Sequence, residues 1–167
     1  MKSLGTLKPP SLSVIKSCTG GDRFLTPDRN MSVGEVYTTE ILTDASSKLL
    51  SNFFQLLTRN GYAKRDSCRY YSLSLTSCKG SVDPHDDLGL GLAALWFVHR
   101  KPLHKSQQGL LGEPPVLYGS RQWLDVRLGE IIVFDANKEH AWLSNYHCSM
   151  IMQTIKKARK TRNAKAS

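Results

Sequence analysis

The spacing of apolar residues changes along the chain, and the changes predict one clear helix. Between residues 44 and 59, apolar residues recur at three- and four-residue steps, which is typical of a helix with one buried face. Thr43 or Asp44 suits the N-cap of this helix, because either side chain can accept hydrogen bonds from the first amides. Asn60-Gly61 supplies the left-handed residue that ends it.

The rest of the pattern predicts strands. Residues 88–98 are nearly continuous in apolar residues, and the glycines at the start of the run favour a buried strand over a helix. The other predicted strands are 33–42, 69–77, 116–118, 122–127, 130–135 and about 147–155, with a loop at 101–115. Short strands joined by turns, with one helix ahead of most of them, predict a mainly β (α+β) fold: a jelly-roll or barrel core with a buttressing helix.

The chain has 167 residues, which suits one domain. Residues 1–30 carry several Pro and Gly with little periodicity, so we expect an irregular arm there. The domain itself is predicted over residues 31–155, followed by a basic, disordered tail over 156–167. The sequence contains no apolar run long enough for a membrane span and no signal-peptide core, so we expect a cytoplasmic protein.

Charge is concentrated at one end. The chain has 23 Lys and Arg against 14 Asp and Glu, a net charge of +9, and the last twelve residues hold six of the basic residues and no acid. Such a run attracts nucleic-acid phosphates or a nucleic-acid-associated protein, and in a eukaryote it is compatible with a nuclear as well as a cytoplasmic location. A solvated, solubilising terminus explains the same run equally well.

The cysteines are isolated in the sequence. Cys18, Cys68, Cys78 and Cys148 form no Cys-x-x-Cys pair, which argues against a zinc ribbon or a thioredoxin-like site. In a reducing compartment we expect them to be thiols.

Two separate segments carry the residues for a metal site. His85 and Asp87 are two residues apart, so on extended backbone their side chains point the same way and can bind one ion. His140 follows a second apolar strand and brings a third ligand from a different part of the chain. Two histidines and one carboxylate, with coordination positions left open, are the ligand set of non-haem Fe(II) oxygenases. Each part also has a plainer explanation, since residues 83–87 suit a turn and His140 suits a structural histidine.

These segments resemble a known superfamily. "PHDD" at residues 84–87 before an apolar strand, and "VRLGEIIVFDANKEHAW" at 126–142, are similar to the double-stranded β-helix of the Fe(II)/2-oxoglutarate-dependent dioxygenases. The resemblance covers about residues 43–155. It implies that His85, Asp87 and His140 ligate Fe(II), and that the protein is a hydroxylase that consumes 2-oxoglutarate and O2.

The resemblance also implies a cation for the distal carboxylate of 2-oxoglutarate, and here the sequence departs from the usual pattern. The last core strand offers only His147 and Ser149 where an Arg or Lys is common. Arg100, on the strand after the His-x-Asp motif, is the alternative anchor, because a guanidinium binds carboxylates in bidentate fashion. A solvated strand end beside Lys101 would explain Arg100 as well.

Two other functions remain open from the sequence. A cupin-like metal-binding protein without 2-oxoglutarate would share the second segment and would not need the missing cation. A non-catalytic nucleic-acid-binding or interaction protein would use a β-scaffold and the basic tail. The sequence holds no Gly-x-Ser-x-Gly elbow, phosphate-binding loop or His-Glu-x-x-His pair that would indicate another chemistry.

Overall fold

A computed structural model describes residues 1–19, 32–41, 50–65, 73–109 and 114–158. Within them the helices are α1 (Leu12–Thr19) and α2 (Ser51–Arg59), with a 3-10 turn at Lys105–Gln107. The strands are β1 (Lys2–Thr6), β2 (Val36–Glu40), β3 (Tyr62–Lys64), β4 (Leu73–Lys79), β5 (Val82–His85), β6 (Leu92–Pro102), β7 (Val116–Gly119), β8 (Gln122–Asp125), β9 (Glu130–Asp135), β10 (His140–Leu143) and β11 (Tyr146–Lys157). The predicted Thr43 or Asp44 cap, Cys68, the start of the 69–77 strand and residues 159–167 of the tail lie outside the described residues.

The strands form two antiparallel sheets whose order defines the fold. The large sheet has the order β1-β9-β6-β11-β4-β2, with β3 also paired to β11, and the small sheet has the order β5-β10-β7-β8. If β4 to β11 are numbered from one to eight, the core of the large sheet is 1-8-3-6 and the small sheet is 2-7-4-5. This order is that of a double-stranded β-helix, a jelly-roll, and it confirms the predicted fold class.

The large sheet buries both of its faces. One face packs against the small sheet through Leu95, Phe97, Phe134 and Met150, while the other packs under the two helices through Leu75, Trp96, Ile131 and Ile151. Side chains alternate between faces along a strand, so nearly continuous apolar runs are needed where both faces are covered. That requirement explains the unbroken apolar character of β6 and β9.

Helix α2 supplies the predicted buttress. Phe53 and Leu57 are buried on its inner face, and the Phe53 ring stacks on Trp96 of β6 with centroids 5.6 Å apart. The helix ends at Arg59 with Asn60 as its C-cap, and Gly61 follows with a φ of +78°, as the Asn-Gly pair predicted.

The N-terminal residues are more regular than the sequence indicated. β1 pairs antiparallel with β9 at the edge of the large sheet, and α1 buries Ile15 and Cys18. The prediction of an irregular arm was therefore wrong for residues 2–6 and 12–19. β1 lacks a periodic apolar pattern because its backbone pairing with β9, including a register shift between Ser3 and Gly5, holds it in place. The division of the chain into arm, domain and tail stays a prediction.

Other differences concern short strands and strand ends. His85 and His140 belong to β5 and β10, because these two strands pair with each other. This agrees with the extended backbone predicted at His85 rather than with the turn that residues 83–87 also suited. β6 continues to Pro102 into the predicted loop because it pairs with the start of β11. β11 continues to Lys157 into the predicted tail because its end pairs with the short strand β3.

Candidate metal centre

His85 and His140 are brought together by strand pairing. His85 ends β5, His140 begins β10, and the two are direct cross-strand partners in the small sheet. Their ring centroids lie 4.4 Å apart, and the ring of Phe134 lies 5.1 Å from that of His140. The structure therefore joins two histidines that are far apart in the chain.

Asp87 completes the group from the loop after β5. Its Oδ2 lies 3.5 Å from Nε2 of His140, and one ligand atom from each of His85, Asp87 and His140 lies within 4.8 Å of the others. Asp86, between the two motif residues, is exposed. The three residues that the sequence singled out as metal ligands thus converge on one point.

Both histidines present the same ring nitrogen to that point. Nδ1 of His85 lies 2.7 Å from the Asp83 carbonyl oxygen, and Nδ1 of His140 lies 2.9 Å from the Lys138 carbonyl oxygen. A carbonyl oxygen only accepts hydrogen bonds, so Nδ1 must carry the proton in each ring. In the neutral form this leaves the Nε2 lone pair for a metal, the arrangement that outer-sphere hydrogen bonds impose on histidine ligands.

The charges of the group support each other in the metal-free protein. The hydrogen bond from His140 lowers the pKa of Asp87, although partial burial opposes this effect. Burial acts to lower the pKa of His140, but the hydrogen bonds with Asp87 and the Lys138 carbonyl and the charges of Asp87 and Asp86 together outweigh it and raise the pKa. The site therefore favours a cation beside Asp87, whether a proton on the ring or a metal ion between the donors.

Asn137 is a positioning residue that sequence reasoning missed. Its Oδ1 accepts the backbone N–H groups of Gly89 and Gly91 at 2.9 and 3.0 Å, which fastens the loop after Asp87 to the β9–β10 turn. The Asp87 N–H also donates to the Ala136 carbonyl at 2.8 Å. The two glycines, with φ of +92° and +71°, were the available signal of a tightly held loop.

The triad lies on the wall of a cavity of about 480 Å³ between the two sheets. His85 is exposed and His140 buried, so the metal-ligand group spans the cavity from its open rim inward. The side chains away from the triad are mostly apolar, among them Leu95, Leu117, Phe134, Trp142, Met150 and Met152, with neutral polar groups from Ser74, Thr76, Gln153 and Thr154. Of the wall residues expected from the sequence, Phe134 and Trp142 line the cavity, Phe97 packs against Trp142, and Trp96 faces the helices.

The residues predicted to anchor 2-oxoglutarate lie elsewhere. His147 and Ser149 alternate with the cavity-lining Met150 on β11 and share the helix-side face with Ile151. Arg100 lies over the ring of Tyr146, 5.0 Å from its centroid. None of the three is among the residues that line the cavity, and the described lining residues include no Lys or Arg.

No known family model and no curated protein matches this sequence. Among solved structures, a cupin superfamily protein from Desulfitobacterium hafniense matches 93% of this chain and 99% of that chain, with 14% identity and a TM-score of 0.40. A conserved protein of unknown function from Streptococcus pyogenes matches 78% and 81%, with 13% identity and a TM-score of 0.37. A cupin-2 domain containing protein from Shewanella frigidimarina matches 57% and 79%, with 13% identity and a TM-score of 0.34. Likenesses this weak support no family or activity, so the fold assignment rests on the strand order of the chain itself. No helix among the described residues is long and apolar enough to cross a membrane.

Proposed function

We propose that this protein is a mononuclear Fe(II)-dependent oxygenase whose metal is held by His85, Asp87 and His140. The observation that carries the proposal is the convergence of one ring nitrogen from each histidine and one carboxylate oxygen, all within 4.8 Å of one another. Three protein ligands from a histidine pair and a carboxylate leave coordination positions open, which favours non-haem Fe(II) over a closed structural site. Bound Fe(II) would supply the activation of O2.

The protein's own residues prepare this site in three ways. Carbonyl groups of Asp83 and Lys138 fix the two rings with Nε2 inward, and Asn137 fastens the loop that carries Asp87. The apolar wall keeps water away from the reacting atoms and favours a substrate of low polarity. His85 at the open rim places the metal-ligand group where a substrate enters.

The finer form of the proposal is 2-oxoglutarate dependence, which the sequence resemblance implies. In the described part of the cavity the distal carboxylate of 2-oxoglutarate would meet hydroxyl and amide groups such as those of Thr76 and Gln153, without a cation. Burying a carboxylate without a charged partner is costly. This observation favours the second candidate function, a cupin-like metal protein that does not use 2-oxoglutarate.

An anaerobic Fe(II) titration followed by assays of O2 consumption and succinate release separates these functions. We expect the wild type to bind one Fe(II), and Asp87→Ala to lose binding while Asp86→Ala, a matched change of the neighbouring exposed acid, retains it. Equal iron binding by Asp87→Ala and Asp86→Ala would refute the metal site.

Succinate release and 2-oxoglutarate binding then distinguish the dioxygenase from the cupin-like metal protein. Succinate release that requires Fe(II) and 2-oxoglutarate would establish the dioxygenase, and Arg100→Gln would show whether Arg100 anchors the co-substrate. Stoichiometric iron binding with neither 2-oxoglutarate binding nor succinate release would establish the cupin-like alternative.

The nucleic-acid interaction stays a prediction from charge. Lys156 and Lys157 are exposed at the end of β11, and the rest of the tail lies outside the described residues. Salt-sensitive nucleic-acid binding that is lost when residues 159–167 are removed, with β11 left intact, would support it.

A further inference from the structure

Two buried thiols face each other across neighbouring strands of the large sheet. Cys78 of β4 and Cys148 of β11 are direct antiparallel partners, and both belong to the apolar layer between the two sheets. Their exposed fractions are 1% and 0%, and neither forms a disulfide. Their separation in the sequence conceals this pairing.

The strand register permits a bond between them. Directly opposed residues of an antiparallel pair have Cα atoms about 4.5–5.5 Å apart, and disulfides span Cα distances of about 4.4–6.8 Å. Cys78 and Cys148 point to the same face because they are register partners. A disulfide between them therefore needs only a local adjustment of the two side chains.

The surroundings of Cys148 suit a thiolate. Arg100 of β6 is its register partner on the other side, so one row across the sheet reads Cys78, Cys148, Arg100. The Ser144 hydroxyl lies 3.3 Å from the Cys148 sulfur, and its oxygen already accepts the N–H of Tyr146. The hydroxyl proton is thus available to donate to the sulfur.

The two thiols are electrostatically unequal. Burial acts to raise the pKa of Cys148, but hydrogen bonds with Cys78 and the Ser144 hydroxyl, together with the charge of Arg100, outweigh burial and lower the pKa. The hydrogen bond with Cys148 raises the pKa of Cys78, and burial adds to that effect. Cys148 is therefore the nucleophile of the pair, and Cys78 holds its proton.

The cavity gives small oxidants a route to this pair. Cys78, like Trp142 and Met150, lines the same cavity as the triad. By contrast Cys18, equally buried, belongs to the layer under the helices. A molecule the size of water or hydrogen peroxide that enters the cavity thus reaches Cys78, with Cys148 directly opposite it on the neighbouring strand.

We infer that Cys78 and Cys148 are a redox-active dithiol that closes to a cross-strand disulfide when a peroxide enters the cavity. The Cys148 thiolate sulfur attacks one peroxide oxygen, the O–O bond breaks, and the departing hydroxide leaves as water with the proton that the thiol gave up. The Cys78 sulfur then attacks the resulting sulfenic acid, the S–O bond breaks, and the leaving hydroxide takes the Cys78 proton as a second water. Each sulfur loses one electron and the peroxide gains two.

The test uses the full-length protein with a metal chelator present, so that its outcome does not depend on the proposed iron site. After treatment with a small excess of hydrogen peroxide, we expect the intact mass to fall by two hydrogen atoms. Peptide mapping should then show Cys78 joined to Cys148, and dithiothreitol should reverse the link. Absence of this linked peptide from folded, peroxide-treated protein, or linkage through Cys18 or Cys68 instead, would overturn the inference.

Variants assign the roles within the pair. In Cys78→Ala, the Cys148 sulfenic acid has no partner and should be trapped by dimedone, whereas Cys148→Ala should leave Cys78 unlabelled under the same conditions. Cys18→Ala is the matched buried control and should keep the Cys78–Cys148 link. Labelling of Cys78 instead would reverse the assigned roles and contradict this mechanism.

Arg100 is assigned as a positioning residue. Arg100→Gln should slow disulfide formation several-fold and move its rate–pH profile to higher pH, because the thiolate loses a favourable charge. An unchanged profile would remove Arg100 from the mechanism. The wild-type peptide map tests the disulfide itself even if a variant fails to fold.

Discussion

His140 begins β10 and His147 lies near the start of β11. Both side chains are buried, with exposed fractions of 6% and 1%, yet the charged groups around them have opposite signs. His140 faces Asp87, which raises its pKa above the ordinary value. His147 is next to Lys79 and Lys101 in strand register, and neither of its ring nitrogens has a hydrogen-bond partner among the described residues. Burial alone therefore does not decide what a histidine does; the charge of its neighbours does.

This difference in neighbouring charge makes His140 suited to bind a metal and His147 a structural residue. The Nδ1 atom of His140 is held by a backbone carbonyl and its Nε2 faces a carboxylate, so the ring can bind a cation. Burial, followed by His99, Lys101 and Lys79, lowers the pKa of His147 to about 4. A cation beside His147 would meet two lysines, so His147 is not placed to bind a metal, and its part in a co-substrate site stays a prediction.

The largest expected effect is on metal affinity. His140→Ala should weaken Fe(II) binding by more than about 100-fold, because loss of even an outer-sphere partner typically costs 10–100-fold. His147→Gln should leave the affinity unchanged, since its side chain lies on the other face of the large sheet. Anaerobic calorimetry of the two variants measures both. A weakened affinity in His147→Gln comparable with that in His140→Ala would erase the distinction.

A second effect concerns stability in acid. The pKa of His147 is lowered from 6.5 to about 4 in the folded protein, so the unfolded chain binds more protons between these values. The contribution of His147 to the free energy of unfolding is present in full above pH 6.5 and is lost as the pH falls through about 4. The loss amounts to up to about 3 kcal/mol.

Urea unfolding of the metal-free protein from about pH 7 to about pH 4 measures this loss. His147→Gln cannot titrate, so its stability should fall less over the same range; equal slopes for the wild type and the variant would contradict the assignment. The variant keeps the other charged groups near this position, which are His99, Lys79 and Lys101. Their effect on stability is therefore the same in both proteins.

The smallest effect is that of the Asp87–His140 pair in the metal-free protein. Asp87 is 38% exposed, so its replacement by Asn should change the free energy of unfolding by less than about 1 kcal/mol. The raised pKa of His140 stabilises the fold below pH 6.5 and this is lost as pH rises through the folded value. The lowered pKa of Asp87 stabilises the fold above pH 3.8, and this stabilisation is lost as the pH falls through the folded-state pKa of Asp87.

The NMR titration of His140 gives the sharper readout of this pair. Asp87→Asn should lower the pKa of His140 and leave that of His147 where it is. A His140 pKa that does not respond would show that its raised value has another source.

Several elements could be predicted because their causes are local. The amphipathic spacing and Asn60-Gly61 predicted the end of α2, and the apolar runs predicted β6 and β9. The His-x-Asp spacing likewise places two ligands near one point wherever the chain runs extended. Their convergence with His140 was a hypothesis from the ligand types, which the resemblance also implied, and the β5–β10 pairing brings His85 and His140 together.

Other features depend on partners that the sequence does not reveal. β1 is held by the edge of β9 and β5 is held by β10, so neither β1 nor β5 needed an apolar pattern of its own. Asn137 acts through a loop far from it in sequence. The cysteines looked isolated because their relation is one of strand register.

The sequence by itself determined which segments are buried, where the helix after β2 ends, and which side chains could serve as metal ligands, since these follow from spacing and residue chemistry. Only the tertiary structure decided which face of β11 each residue takes. Side chains alternate strictly along a strand, and a shift of one residue would exchange the cavity wall for the helix-side layer. That choice set Cys148 and Met150 toward the small sheet and His147 and Ser149 away from it.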